Sequence, residues 1–358
     1  MPDCHGCRHR GWPLERSLGQ KQAYLERVLA PWIDRLQPVA SVDPAARLGY
    51  RDRVTLTARW DAATGWRFGL MRRDELIAIH DCPVHTARVR ALVHLLVATL
   101  PSFERLPLAY LHVAGAQATL IVKAPRFDPA DLRSVVEGVA ATGLEGLWVH
   151  CHPSAGRRLF ARSGWSLAWG SAQSLDPTGL VHGPAAFQQL LPALHEQSLA
   201  SAERHLGPAP GAAVLDLYCG IGASMRRWRA SGAAVLGIEL AGGAVECAER
   251  NARGAQVLRG TCVQRLPQVR EWWTAHAGTR LAYANPPRSG LEEEVVSALT
   301  ADLRPHRLAY LSCSAGTLAR DLTLFEAAGY AIDALLPFDF FPLTPHVETL
   351  ALLRDRVG

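Results

Sequence analysis

The chain has 358 residues, 49% of them hydrophobic and 20% charged, with a formal net charge of +5. That length allows two or three domains with a large core. No apolar run reaches the roughly 18 residues of a membrane span and the N-terminus has no apolar signal region, so a cytoplasmic protein with no membrane partner is expected. The mild basic excess is compatible with a polyanionic partner without demanding one. Only Lys21 and Lys123 are lysines, so arginine carries the positive charge. The cysteines are Cys4, Cys7, Cys82, Cys151, Cys219, Cys247, Cys262 and Cys313; in a cytosolic chain of this size they are not expected to be disulfides.

In chain order, residues 1–12 are polar and carry Cys4 and Cys7, and 14–37 show helical apolar spacing. The β-like runs "RVTLTARW" (53–60) and "WRFGLMR" (66–72) follow, joined by the turn-like "DAATG", and "DELIAIHDCPVH" (74–85) carries Cys82. A helix is expected at about 84–99, a hairpin over 108–125, a helix near 128–141 and a strand at 146–152, together a small α+β unit. A helical stretch at about 186–206 leads to the boundary-like "GPAPG".

Beyond it, apolar runs at 212–219, 233–240, 255–261, 280–287 and 307–314 are spaced by helix-length segments. This alternation predicts βαβ units and a parallel sheet. The runs at 330–340 and 347–354 fit a final antiparallel pair. The expected segments are 1–85 with the cysteines, a central α+β domain at 86–185, and a catalytic domain at 186–358.

"DLYCGIG" (216–222) ends the first strand of this sheet. Glycines there let a loop backbone approach a ligand and open a helix whose N-terminus faces it. The next strand ends in Glu239, where an acidic residue binds ribose hydroxyls. A tight turn beside a solvated glutamate is the plainer reading of either feature alone. After Gly220-Ile221-Gly222 no third glycine follows, and the loop starts with Asp216. This D-x-x-x-G-x-G form resembles the S-adenosylmethionine loop of class I methyltransferases. "NPPRSG" (285–290) at the fourth strand offers the Asn285 amide, and Arg288 stands where adenine and glutamine amino methyltransferases usually have an aromatic residue.

The fifth strand delivers Cys313 in "AYLSCSAGTLARDL" to the carboxyl-end rim, where such sheets bind ligands. A thiol there suits covalent catalysis at a pyrimidine: thiolate addition to carbon 6 makes carbon 5 nucleophilic, and a base then removes the proton left on carbon 5. Glu348, in "FDFFPLTPHVETLALL" (338–353), is the candidate base.

Together, "DLYCGIG", "NPPRSG", "YLSCSAGTLARDL" and "FDFFPLTPHVETLALL" resemble the signature motifs of the RNA uracil-5-methyltransferases. The resemblance implies a Rossmann-like seven-stranded class I fold that is S-adenosylmethionine-dependent, with Cys313 as nucleophile and Glu348 as proton acceptor. It implies Gln188, Tyr218, Glu239 and Asn285 as cofactor contacts, beside Asp216 and Gly220 of the loop. Two departures stand out: Ser314-Ala315 where the family commonly has Asn-Pro, and Leu190 where it has Asn.

C-x-x-C at Cys4 and Cys7 is by itself ambiguous between zinc, iron–sulfur and redox use. With Cys82 in "DCP" it resembles the ribosomal-RNA branch of the family, which implies a [4Fe–4S] cluster on Cys4, Cys7 and Cys82. The branch's first cysteine is missing, so either the start is misassigned, or the cluster has only three thiolates, or it has another ligand such as Asp3 or His5; zinc with His5 or His9 is the rival. The chain begins almost directly with these cysteines, without an obvious TRAM barrel, which resembles the subgroup acting on a 23S ribosomal RNA hairpin loop. The expected partner is ribosomal RNA, bound by a monomer, with Arg51, Arg53, Arg59, Arg72 and Arg73 as phosphate contacts. The rivals are a transfer-RNA uracil methyltransferase, a cytosine-5 enzyme, and a non-catalytic RNA-binding factor that keeps the fold.

Overall fold

The computed structural model describes residues 4–356. In chain order it forms α1 (Leu14–Val28), β1 (Arg53–Asp61), β2 (Gly65–Arg72), β3 (Glu75–Ala78), α2 (Ala87–Thr99), β4 (Leu108–Ala114), β5 (Gln117–Val122), α3 (Arg133–Val139), β6 (Gly146–Cys151), β7 (Trp165–Gly170), β8 (Ser174–Leu175), β9 (Val181–His182) and α4 (Pro192–Leu206). There follow β10 (Ala213–Leu217), α5 (Ala223–Ala230), β11 (Ala234–Glu239), α6 (Gly242–Asn251), β12 (Gln256–Arg259), α7 (Cys262–Thr274), β13 (Arg280–Ala284), α8 (Glu293–Ala301), β14 (Arg307–Ser312), α9 (Ala315–Ala327), β15 (Tyr330–Phe338) and β16 (Glu348–Asp355).

Two compact units result. One takes the residues up to Arg8 together with Asp43–Leu190, the other His9–Val42 together with Leu191 onward. This differs from the expected segments. β1 pairs with β2 on one side and with β4 on the other, so no boundary falls near residue 85. α1 belongs to the later unit because its Leu25, and Leu29 at its C-terminal cap, are fully buried in the core of that unit's sheet.

The first unit is a seven-stranded sheet in the order β3-β2-β1-β4-β5-β6-β7. Alternate residues of its strands, such as Val54, Leu56 and Ala58 of β1, join Val89, Leu92, Val93 and Leu96 of α2 in one core. The expected 108–125 hairpin is β4 and β5, turning at Gly115 with φ +58°.

The second unit holds a sheet in the order β12-β11-β10-β13-β14-β16-β15. The five strands from β12 to β14 are parallel, and β16 runs antiparallel to both β14 and β15. The central strands are buried on both faces, which accounts for their unbroken apolar runs. The expected strands are all present, but β10, β13 and β14 stop short. Tyr218-Cys219, Asn285-Pro286-Pro287 and Cys313-Ser314 leave the ladder and become loops at one rim.

Helix ends are set by local chemistry. α4 starts at Pro192 rather than at residue 186, since proline is pre-shaped for the first helical turn and restricts the residue before it. α9 starts directly after the thiol, with the Ser314 hydroxyl accepting from the Thr317 N–H. The segment 14–37 breaks after α1 into a short 3-10 turn that contains Pro31. Lys21 of α1 donates to Asp339, and both side chains are fully buried.

Candidate active site

The carboxyl ends of β10, β11, β13 and β14 gather the predicted residues of the second unit on one rim. Asp216 lies within β10 and is fully buried. Its Oδ2 accepts the Trp228 indole N–H at 2.8 Å, while Oδ1 is buried with no hydrogen-bond partner. Burial pushes its carboxyl pKa up to about 7, against the opposing pull of hydrogen bonds from Ser224 and Trp228.

The loop after β10 is held in an unusual backbone. Tyr218 has φ +58°, rare for a side chain of its size, and its hydroxyl donates to the Glu292 carboxylate. Gly220 has φ +55°, and its N–H donates to Glu239 Oε2 at 3.1 Å. Glu239 Oε1 accepts from the Ala241 N–H at 2.7 Å, so one carboxylate ties the first loop to the second. At Gly222, φ +81°, a Cβ would sit 3.0 Å from Ala248 Cα, so glycine allows α5 and α6 to approach closely. The Asn285 N–H donates to Leu217 O at 3.2 Å, which brings the proline loop beside Asp216.

Cys313 is half-buried, one residue past β14. Antiparallel pairing sets Leu311 opposite Leu350 and Ser312 opposite Thr349. Cys313 follows β14 and Glu348 begins β16, so the two residues flank the last pair of the ladder, Ser312 opposite Thr349. Glu348 is the first residue of β16 and only 4% exposed. Burial raises the thiol pKa and the Glu348 carboxylate raises it further; the Arg288 guanidinium and a backbone hydrogen bond pull it down.

Gln188 belongs to the first unit, where its amide donates to Asp176 Oδ2 at 3.2 Å. Leu190, the departure from the family's Asn, is buried. Among the phosphate candidates, Arg59, Arg72 and Arg73 are exposed. Arg53 is different: its guanidinium stacks over Phe187 at 4.4 Å, and burial pulls its pKa down to about 10.

Among the described residues, no three His, Cys, Asp or Glu side chains are gathered to hold a metal ion. Cys4, Cys7 and Cys82 are each half-buried. Asp3 lies outside the described residues. His9, the alternative zinc ligand, belongs to the second unit, where its Nδ1 is hydrogen-bonded to Ser17 Oγ at 2.9 Å.

Asp321 and Arg320 of α9 were not singled out from the sequence. Fully buried Asp321 accepts the Leu291 N–H at 3.2 Å on Oδ2 and the Arg320 Nε–H at 2.8 Å on Oδ1. Arg320 also donates to Ser289 O and Leu291 O, each at 3.2 Å. A charged pair on a helix is ordinarily a solvated face, so "ARDL" carries no local signal of this role.

A parallel sheet with a terminal antiparallel pair, a glycine loop after its first strand and an acidic residue ending the second define a class I S-adenosylmethionine-dependent methyltransferase fold. Residues 185–356 match the family described as tRNA (Uracil-5-)-methyltransferase. The chain is 31% identical to the 23S rRNA (uracil(1939)-C(5))-methyltransferase RlmD of Pseudomonas entomophila, over 98% of this chain and 78% of the relative. An uncharacterised RNA methyltransferase of Thermosynechococcus vestitus is 28% identical, over 98% of this chain and 82% of that one. In fold it resembles the Pyrococcus abyssi tRNA (uracil-54, C5)-methyltransferase solved with S-adenosyl-L-homocysteine, at a TM-score of 0.73 and 21% identity, over 98% of this chain and 86% of that one. The chain belongs to the RNA uracil-C5 methyltransferases and is an S-adenosylmethionine-dependent enzyme of that family. No helix among the described residues is long and apolar enough to cross a membrane.

Proposed function

We propose that the enzyme methylates carbon 5 of a uridine in 23S ribosomal RNA through a covalent bond between Cys313 and carbon 6 of the base. The observation that supports this reading is the antiparallel pairing of β14 with β16, whose last pair, Ser312 and Thr349, is flanked by Cys313 and Glu348. S-adenosylmethionine, when bound, supplies an electrophilic methyl group. The residues fit it: the unpartnered Asp216 Oδ1 is a buried acceptor waiting for a donor. Asp216, Tyr218, Gly220, Glu239 and Asn285 would hold it.

The Cys313 thiolate gives its electron pair to carbon 6, and the displaced π pair moves toward the carbonyl at carbon 4. Carbon 5 thereby becomes nucleophilic and takes up the methyl group. Glu348 then accepts the carbon 5 proton. The electrons of that C–H bond re-form the ring double bond as the S–C bond breaks, and the thiolate is returned. A base inside a helix stem cannot reach a thiol on a sheet rim, so the target uridine must be unstacked.

The 23S substrate is favoured over transfer RNA by the RlmD relatives, which match nearly the whole chain. Incubating the enzyme and tritiated S-adenosylmethionine with 23S and transfer-RNA transcripts tests this. Label in 5-methyluridine of the 23S transcript alone is expected; label only in transfer RNA would refute the substrate.

For the [4Fe–4S] cluster the support is the cysteine pattern Cys4, Cys7 and Cys82 alone. No step of the reaction is routed through it. Anaerobic purification with an iron count and absorbance near 400 nm tests it; a colourless zinc protein would favour the rival metal.

A further inference from the structure

We propose that a groove on the first unit, lined by Arg59, Trp60, Phe103, Tyr110 and Lys123, binds an unstacked nucleotide of the RNA substrate. The inference deepens the proposed function and rests on its RNA substrate. The groove encloses about 420 Å³, between the end of β1, the loop before β4, the start of β4 and the end of β5. That is within the roughly 300–1,000 Å³ of small-molecule sites.

Its chemistry has two halves. Phe103 is 47% exposed, a large apolar ring left in solvent. It stands in a cluster with buried Trp66, ring centroids 6.3 Å apart, and Trp60 packs on the same ring at 5.4 Å. The rings are thus supported from behind, as a platform for a base requires. The other half is cationic. Arg59 and Lys123 are exposed, and Lys123 is the chain's second lysine, the first being sealed in its pair with Asp339. Among the described residues neither Arg59 nor Lys123 is paired with a carboxylate.

Antiparallel pairing also places Arg59 directly opposite Arg67, another exposed arginine. Like charges opposite each other destabilise a strand pair. An anion bound there would relieve the repulsion, and a phosphate beside a base satisfies both halves of the groove. An acidic protein would match the cations but would leave the ring platform unused.

The test is binding of the full chain to a 23S hairpin transcript containing the target uridine, over a range of salt. Arg59→Ala with Lys123→Ala should flatten the slope of log affinity against log salt by about 1.4, at roughly 0.7 per single-strand phosphate. Lys123→Arg should restore its share. Phe103→Ala, which removes no charge, should weaken binding about tenfold at every salt concentration. Unchanged slope and affinity in folded variants would overturn the groove, whatever RNA the enzyme methylates. If the wild type instead methylates only transfer RNA and the variants weaken that RNA equally, the groove stands and the 23S substrate falls.

Discussion

Tyr310 donates its hydroxyl to Asp321 Oδ2 at 2.8 Å, and neither side chain is exposed to solvent. Tyr310 lies on β14 three residues before Cys313, and Asp321 also holds the Leu291 N–H. One carboxylate thus joins the thiol's strand, the helix that follows it and the segment after the proline loop. Asp321→Ala would leave two buried donors without an acceptor, at about 1–3 kcal/mol each. Urea denaturation should show a loss of roughly 2–4 kcal/mol, with Asp321→Asn losing less. An unchanged midpoint would show that the carboxylate is dispensable.

Removing the proposed base should separate bond formation from product release. With Glu348→Gln the proton on carbon 5 has no acceptor, so the Cys313 adduct should accumulate with RNA. A protein–RNA species that survives denaturing electrophoresis is expected in Glu348→Gln and absent in Cys313→Ala. Turnover at or near the wild-type rate in either variant would remove that residue from the mechanism.

The thiol's charge environment predicts its reactivity. Burial and Glu348 hold the Cys313 pKa above the ordinary thiol range, while Arg288 lowers it. Iodoacetamide alkylation of Cys313 should therefore be slow at neutral pH and rise with pH as thiolate forms. Glu348→Gln should speed alkylation at pH 8 by a few-fold, and Arg288→Ala should slow it. Mass spectrometry of the Cys313 peptide reads the rates, and shifts in the opposite directions would refute the assignment.

Asp216 makes a pH-dependent contribution to stability. Its folded pKa is about 7 against an ordinary value of 3.8, so the folded state binds the proton more tightly than the unfolded chain. The associated stability is full below about pH 4 and is lost as pH rises through 7. Asp216→Asn keeps an acceptor for Trp228 and removes the ionisation. Its melting temperature, relative to wild type, should rise between pH 5 and pH 8 in the absence of cofactor. Calorimetric titration should show weaker S-adenosylmethionine binding. A wild-type-to-variant difference that stays flat with pH would contradict the buried ionisation.

Much of the second unit was legible because its signals are local. An unbroken apolar run of strand length between helix-length segments reads as a buried strand, so the β10–β16 alternation was legible. "DLYCGIG" was readable for the same reason: the positive φ at Gly220 and Gly222 is a backbone demand that glycine meets cheaply. Even the departure at Ser314 has a local meaning, since its hydroxyl caps α9. The start of α4 was misplaced by six residues, because apolar spacing at 186–191 continues a helical pattern that Pro192 in fact begins.

What the sequence determined by itself was the order of elements and the residue types at the rim, since backbone preference and hydrophobic burial act between near neighbours. Tertiary structure decided the relations between residues far apart in the chain. Glu348 becomes the neighbour of Cys313 only because β16 pairs antiparallel with β14 in one register. A slip of one residue would turn that carboxylate to the other face of the sheet. The same holds for Leu25 of α1 and Leu29 just after it, an ordinary amphipathic stripe until they are buried against a sheet that begins almost two hundred residues later.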